Sequence, residues 1–314
     1  MSIAFTFPGQ GSQAVGMGKA LADEFAEART VFEEVDDALG QKLSDIMWNG
    51  PEDQLTLTAN AQPALMAVSL ATMRVLEAKG LDLKSSVSYV AGHSLGEYSA
   101  LAAAGSFDVA TAAKLLRVRG EAMQAAVPVG QGAMAALLGL DFEAAMEIAK
   151  EAAGDDVCQA ANDNAPGQVV VSGHVAAVER AIELAKAKGA RRALLLPVSA
   201  PFHCSLMGPA ADTMAAALAE ADIKDPRVPL VANVLARPIT AAAEVRQRLV
   251  EQVTGTVRWR ESVIWLSEQD VDTLVEVGTG KVLSGMVKRI APGVKGQAVN
   301  TAEDIDALIA TLNA

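Results

Sequence analysis

Residues 90–100, VAGHSLGEYSA, set a serine between two glycines at the end of an apolar run. A strand, then Gly-His-Ser-Leu-Gly, then a helical pattern is the setting in which a chain bends sharply and leaves a serine hydroxyl exposed. On that reading Ser94 is a nucleophile toward acyl groups. The amide of Leu95, at the helix start, can then donate to the oxyanion of a tetrahedral intermediate. The plainer alternative is a tight turn in which Ser94 only caps the helix. A nucleophilic serine calls for a base within hydrogen-bond reach, and the chain has 3 histidines. His93 adjoins the serine inside the bend, where neighbouring side chains diverge, and reads as structural. His174 opens a helix after Val169-Val170-Val171-Ser172-Gly173 and reads as a surface residue. His203, in Ser199-Ala200-Pro201-Phe202-His203-Cys204, is the best placed, and Lys281 is a conceivable alternative base.

A hydrolase of the α/β type carries its histidine late, after the acid. Here the last histidine is His203, with a third of the chain still to come. Asp212 and Glu276 are weak candidates to orient it, and a backbone carbonyl would be enough to fix its tautomer. Cys204, beside it, reads as a small packed residue. A second cluster, Phe7-Pro8-Gly9-Gln10-Gly11-Ser12-Gln13-Ala14, satisfies G-x-G-x-x-A after a strand. A dinucleotide site would need an acidic residue at the end of a second strand about 20 residues on, and Asp23 and Glu24 fall in a helical pattern instead. The same glycine-rich turn can bring a backbone amide to a reacting carbonyl, so Gln10 is a candidate second oxyanion donor. On the helical pattern 109–126, Arg119 falls among the apolar positions and Arg117 on the wet side. A guanidinium among core residues needs an acceptor. Either an internal salt bridge supplies it, or Arg119 is a bidentate clamp for a substrate carboxylate.

The elements that must hold these residues follow from the apolar rhythm. The chain has 314 residues, 51% hydrophobic and 20% charged, enough for a large core. Strands are expected at 2–7, 87–92, 229–232, 273–277 and 297–300, separated by helical patterns at 16–38, 61–79, 95–104, 109–126, 206–219, 243–254 and 260–268. Such alternation predicts a mostly parallel sheet covered on both faces. Between them, 132–140, 142–153, 157–161, 168–172, 175–188 and 191–197 run strand-helix-strand-strand-helix-strand, the ferredoxin-like order, with 162–167 as a turn-rich connection. The expected domains are therefore 127–198, inserted, and a discontinuous large domain of 1–126 and 199–314. A net charge of −12 argues against nucleic-acid binding. The two cysteines form neither a disulfide framework nor a zinc spacing. With no apolar run long enough for a bilayer and no basic, apolar leader in MSIAFTFPGQ, the expectation is a cytoplasmic chain without a membrane partner.

Taken together, FPGQGSQ at 7–13, Gln62-Pro63, GHSLGEYSAL at 92–101, Arg119-Gly120, NxNxPGQVVVSG ending at Gly173, Phe202-His203 and EVGTGKVLSG at 276–285 resemble the malonyl-CoA:acyl-carrier-protein transacylase family, in order and across the whole chain. The resemblance implies an α/β-hydrolase-like core with a ferredoxin-like insertion. It implies that Ser94 carries a malonyl ester, that His203 is base and then acid, and that the Gln10 and Leu95 amides form the oxyanion hole. It implies that Arg119 pairs with the malonyl carboxylate, that Gln62 lines the pocket, and that Phe202 marks the malonyl-selective version. No cofactor is implied beyond malonyl-CoA as substrate and the phosphopantetheine of an acidic, transiently bound acyl carrier protein. A basic rim of Arg258, Arg260, Lys281, Lys288 and Arg289 is the candidate docking surface. Arg258 stands where relatives often carry Gln before a Trp, in the neighbourhood expected to lend the histidine a backbone carbonyl. Two other functions fit the same motifs: a serine thioesterase or hydrolase, and a non-catalytic carrier-docking subunit.

Overall fold

The computed structural model describes residues 2–312. Ten strands form two sheets: β1 Ile3–Phe7, β2 Tyr89–Gly92, β3 Gly132–Leu138, β4 Cys158–Ala165, β5 Gln168–His174, β6 Arg192–Leu195, β7 Leu230–Ala232, β8 Arg237–Ile239, β9 Thr273–Val277 and β10 Lys295–Val299. The larger sheet has the order β10-β9-β1-β2-β7-β8 and is parallel except for β8, which runs antiparallel to β7. Its central strands IAFTF and TLVEV are buried at every position, as apolar runs covered on both faces must be. The helix Thr58–Ala78 is buried nearly all round and carries small and flexible residues, Ala and Met, that let neighbours close in from several sides.

Parallel pairing fixes where chemistry can happen. Phe7 pairs with Gly92 at the ends of β1 and β2, so the loops that follow, one with Gln10 and one with Ser94, leave the same edge of the sheet. The His93 amide donates to the Phe7 carbonyl (3.0 Å) and ties the two loops together.

The smaller sheet has the order β4-β5-β3-β6 and is antiparallel throughout. Its side chains alternate as a half-covered sheet requires. Ala135, Leu137, Val169 and Val171 pack under the helices Phe142–Ala153 and Val175–Ala187, while Met134 and Val170 face the main core.

Several expectations need correction. The pattern at 16–38 is two helices, Lys19–Glu24 and Ala26–Leu39, because Phe25 is extended (φ −117°, ψ 123°). The segment 162–167 is not a turn-rich connection. β4 pairs with β5 as far as Ala165 through two irregularities, and only Pro166-Gly167 makes the turn. Backbone pairing outweighs the loop character of Asn162, Asp163 and Asn164. Strand β8 and the helices Leu43–Asn49, Glu52–Thr56 and Leu83–Ser86 are too short to give a periodic signal. Among the described residues no helix is long and apolar enough to cross a membrane.

Candidate active site

The bend at Ser94 exists because two glycines permit it. A Cβ on Gly92 would lie 1.9 Å from the Gly96 carbonyl oxygen, and one on Gly96 would lie 2.2 Å from that of Phe7. No side chain fits at either position, so the strand can turn into the helix Gly96–Ala103 within four residues. Ser94 itself has φ 53°, a strained conformation for a residue with a side chain. Asn233, just past β7, supports it: its Oδ1 accepts from the Ser94 amide (2.8 Å) and its Nδ2 donates to the Gly92 carbonyl (2.6 Å).

His203 reaches this hydroxyl across 109 residues of chain, with Nε2 2.7 Å from Ser94 Oγ. It too has positive φ, 58°, and is 4% exposed. Its Nδ1 lies 2.9 Å from the carbonyl oxygen of Gln252, which fixes Nδ1 as the protonated nitrogen and leaves Nε2 free to accept. Burial, and then the charge of Arg119, hold its pKa down at about 3, so the ring is neutral at physiological pH. The orienting carbonyl is thus that of Gln252, in the helix Ala242–Thr254, and not one beside Trp259. Arg258 instead pairs with Glu261 and caps the carbonyls of Val234 and Leu235. Neither acid weighed as orienter takes part. Asp212 is exposed, and Glu276 accepts from the amides of Leu283 and Ser284 at the start of the helix Val282–Ile290. His93 binds Asn164 Oδ1 (2.8 Å) and His174 accepts from the Val157 amide (3.0 Å), so both are structural here. Cys204 is buried, and burial raises its thiol pKa.

Arg119 is brought in by the glycine that follows it. A Cβ on Gly120 would sit 2.6 Å from Ala59 Cα, so only glycine lets the helix Val109–Ala125 lie this close to the start of the helix 58–78. The guanidinium is 1% exposed. It donates to Gln62 Oε1 (2.7 Å), Gln252 Oε1 (2.8 Å) and Ser94 Oγ (3.1 Å), and lies 5.7 Å from the Tyr98 ring centre. Its acceptors are all neutral, so the internal salt bridge is not what holds it. Arg117 is half-buried, bridging Asn60 and Gln41, where a wet face was expected.

These groups open into a cleft of about 550 Å³ between the two sheets. All seven expected residues, Gln10, Gln62, Ser94, Leu95, Arg119, Phe202 and His203, line it, as do Met134, Asn162 and Val170 from the smaller sheet. The Gln10 side chain accepts from the Thr58 hydroxyl (2.8 Å). Among the described residues the Gln10 and Leu95 amides make no backbone hydrogen bond of their own. Gln252, Asn233 and Glu97 escaped the sequence reading, although Glu97 directly follows the glycine-serine-glycine stretch. Among the described residues no cluster of three or more His, Cys, Asp or Glu is placed to hold a metal ion.

Comparison with known proteins gives the family. Residues 4–303 match the acyl transferase domain family. The chain is 46% identical to a malonyl CoA-acyl carrier protein transacylase of Bacillus subtilis, over 99% of this chain and 97% of the relative. The corresponding Escherichia coli protein is 46% identical over 95% of each chain. A solved acyl-carrier-protein-S-malonyltransferase from Bartonella henselae superposes with a TM-score of 0.98 at 57% identity, covering 100% of both chains. Another solved structure, a type II PKS acyl-carrier protein in complex with its malonyl-transacylase, gives a TM-score of 0.96 at 43% identity over 99% of this chain and 100% of the other.

Proposed function

This chain belongs to the acyl transferase family, among its malonyl CoA-acyl carrier protein transacylases, and from that premise we infer how its site works. It is an acyltransferase that moves malonyl from malonyl-CoA to acyl carrier protein, in supply of fatty acid synthesis. Ser94 Oγ attacks the thioester carbonyl while His203 Nε2 takes its proton. The oxyanion accepts from the Leu95 and Gln10 amides. The C–S bond then breaks, and the CoA thiolate leaves with the proton carried by His203. The phosphopantetheine thiol of the carrier enters, loses its proton to His203 and attacks the seryl ester. Ser94 regains that proton as it departs, so the two half-reactions mirror one another in ping-pong order.

Arg119 carries the selectivity in this reading. A buried cation 3.1 Å from the nucleophile, held only by neutral oxygens, is a fitting partner for the malonyl carboxylate. Anchoring the acyl tail there holds the ester against the oxyanion donors and leaves little freedom for an attacking water. Gln62 sets one side of the guanidinium and Phe202 supplies apolar wall. This is the observation on which the reading chiefly rests. A brief malonyl-CoA pulse followed by intact-mass measurement tests it. One malonyl should add to Ser94 and vanish on addition of holo-carrier, and no adduct would refute the reading.

The supporting architecture reads as an α/β-hydrolase-like large domain, 1–126 and 199–314, with a ferredoxin-like small domain at 127–198. The order β4-β5-β3-β6 with one helix on each crossover supports the latter. The reaction as written uses no cofactor beyond the two thioester carriers, and a cytoplasmic setting suits both. For the acidic carrier, Arg258 and Arg260 are already paired with Glu261 and Asp163. That reduces the docking rim to Lys281, Lys288 and Arg289, of which Arg289 also donates to Gln168. Gly280, just before Lys281, approaches Ser12 in the loop that borders the cleft.

A further inference from the structure

Glu97 takes no part in the steps above, yet it is 1% exposed and stands three residues from the nucleophile. Its Oε2 accepts from Gln252 Nε2 (2.7 Å) and from the Asn233 amide (3.3 Å), and its Oε1 has no partner. Burying a carboxylate on two neutral donors is costly, so what it holds matters.

Gln252 touches His203, Arg119 and the backbone of Ser94. Its carbonyl holds His203 Nδ1, its Oε1 accepts from Arg119 Nη2, and its Nε2 donates to the Ser94 carbonyl (2.9 Å) as well as to Glu97. A side-chain amide is nearly symmetric in shape but not in polarity. Turned over, its NH₂ would face the guanidinium, donor against donor, and its oxygen would face the Ser94 carbonyl and Glu97. Arg119, which can only donate, and the Ser94 carbonyl and an ionised Glu97, which can only accept, together enforce the orientation observed.

We propose that Glu97 is a positioning residue for malonyl transfer: by accepting from Gln252 Nε2 it holds that amide with Oε1 turned to Arg119, and so fixes the guanidinium that grips the acyl carboxylate. The inference rests on the transfer reading above. It differs from a general structural role in one respect, because it acts on malonyl and not on an acyl group lacking the carboxylate.

The test is the ratio of single-turnover Ser94 acylation by malonyl-CoA to that by acetyl-CoA, followed by intact mass. His203 and the oxyanion donors serve both acyl groups and cancel in the ratio. Glu97→Met should lower it by roughly 10-fold or more. Glu97→Gln, which like a neutral Glu97 can donate as well as accept, should hold the ratio at the lowered value that wild type takes below about pH 7. Burial pushes the Glu97 pKa up to about 7, with Arg119 and Tyr98 the charged and titratable neighbours. A neutral Glu97 can donate as well as accept. The wild-type ratio should therefore fall as pH drops through about 7, and that of Glu97→Gln should not change. Equal loss for both acyl groups in Glu97→Met, a wild-type ratio that is flat across this range, or the same pH dependence in Glu97→Gln would each overturn the proposal. If Glu97→Met does not fold, the pH comparison decides alone. Failure of wild type to form any malonyl ester would count against the transfer reading instead.

Discussion

At the scale of single residues, the site is a neutral imidazole beside a buried cation. Burial, and then Arg119, press His203 to stay unprotonated, toward a pKa of about 3. As the proposed base, His203 is therefore ready over the whole physiological range, and the acid limb of kcat/KM for acylation by acetyl-CoA, which does not call on Glu97, is expected well below the ordinary histidine value. Arg119→Ala removes one of these causes, so the limb should move upward, as a pH profile of acylation would record. The same variant should lose malonyl transfer and gain relatively for acetyl, measured by competition between the two acyl-CoAs. Ionisation also couples to stability. Glu97 is pushed up to about 7 from 4.5, so the folded state binds the extra proton between those values and this group's contribution falls as pH rises. His203 acts oppositely, losing stability as pH falls below 6.5. Glu97→Gln leaves the histidine unopposed, so urea midpoints of that variant should rise more steeply with pH between 4.5 and 6.5 than those of wild type.

At the scale of elements, close approach decides the geometry. Gly120→Ala would force a Cβ to within 2.6 Å of Ala59 Cα and 2.7 Å of the Thr58 carbonyl oxygen. The two helices must then part, at a cost of about 1–3 kcal/mol in a packed core, and Arg119 shifts with them. Denaturant unfolding should show the loss of stability, and malonyl acylation should drop more than the stability loss alone explains. Arg258→Gln is expected to leave acylation unchanged, because the carbonyl that orients His203 belongs to Gln252. Its half-exposed pairing with Glu261 is worth at most ~1 kcal/mol. A slowed acylation would return the orienting role to that neighbourhood. The element signals themselves were legible in the sequence where they were long. The run 142–153 and the strand 273–277 fall where the pattern placed them. Short helices such as 52–56 gave no period to detect, and strand pairing carried β4 through residues whose own preference is for turns.

At the scale of the whole molecule, an enzyme of net charge −12 receives, on the proposed reading, an acidic carrier. Local positive charge beside the cleft then governs encounter more than chemistry. Charge reversal at Lys281 and Lys288 should raise KM for the carrier and leave malonyl-CoA acylation intact, with the difference shrinking at high salt. Equal damage to both half-reactions would place docking elsewhere. The sequence by itself pointed to Ser94 and the bend that exposes it, to His203 as the best placed of three histidines, and to the two-sheet rhythm, because glycine spacing and apolar periodicity are local properties. Only the tertiary structure decided what holds them. Asn233 and Gln252 stand 139 and 158 residues from Ser94 in sequence, yet hydrogen-bond to its backbone. Whether Arg119 met a carboxylate or neutral oxygens depended on which strand ends and helices the parallel sheet gathered at one edge. That gathering is a matter of long-range packing, which no local pattern encodes.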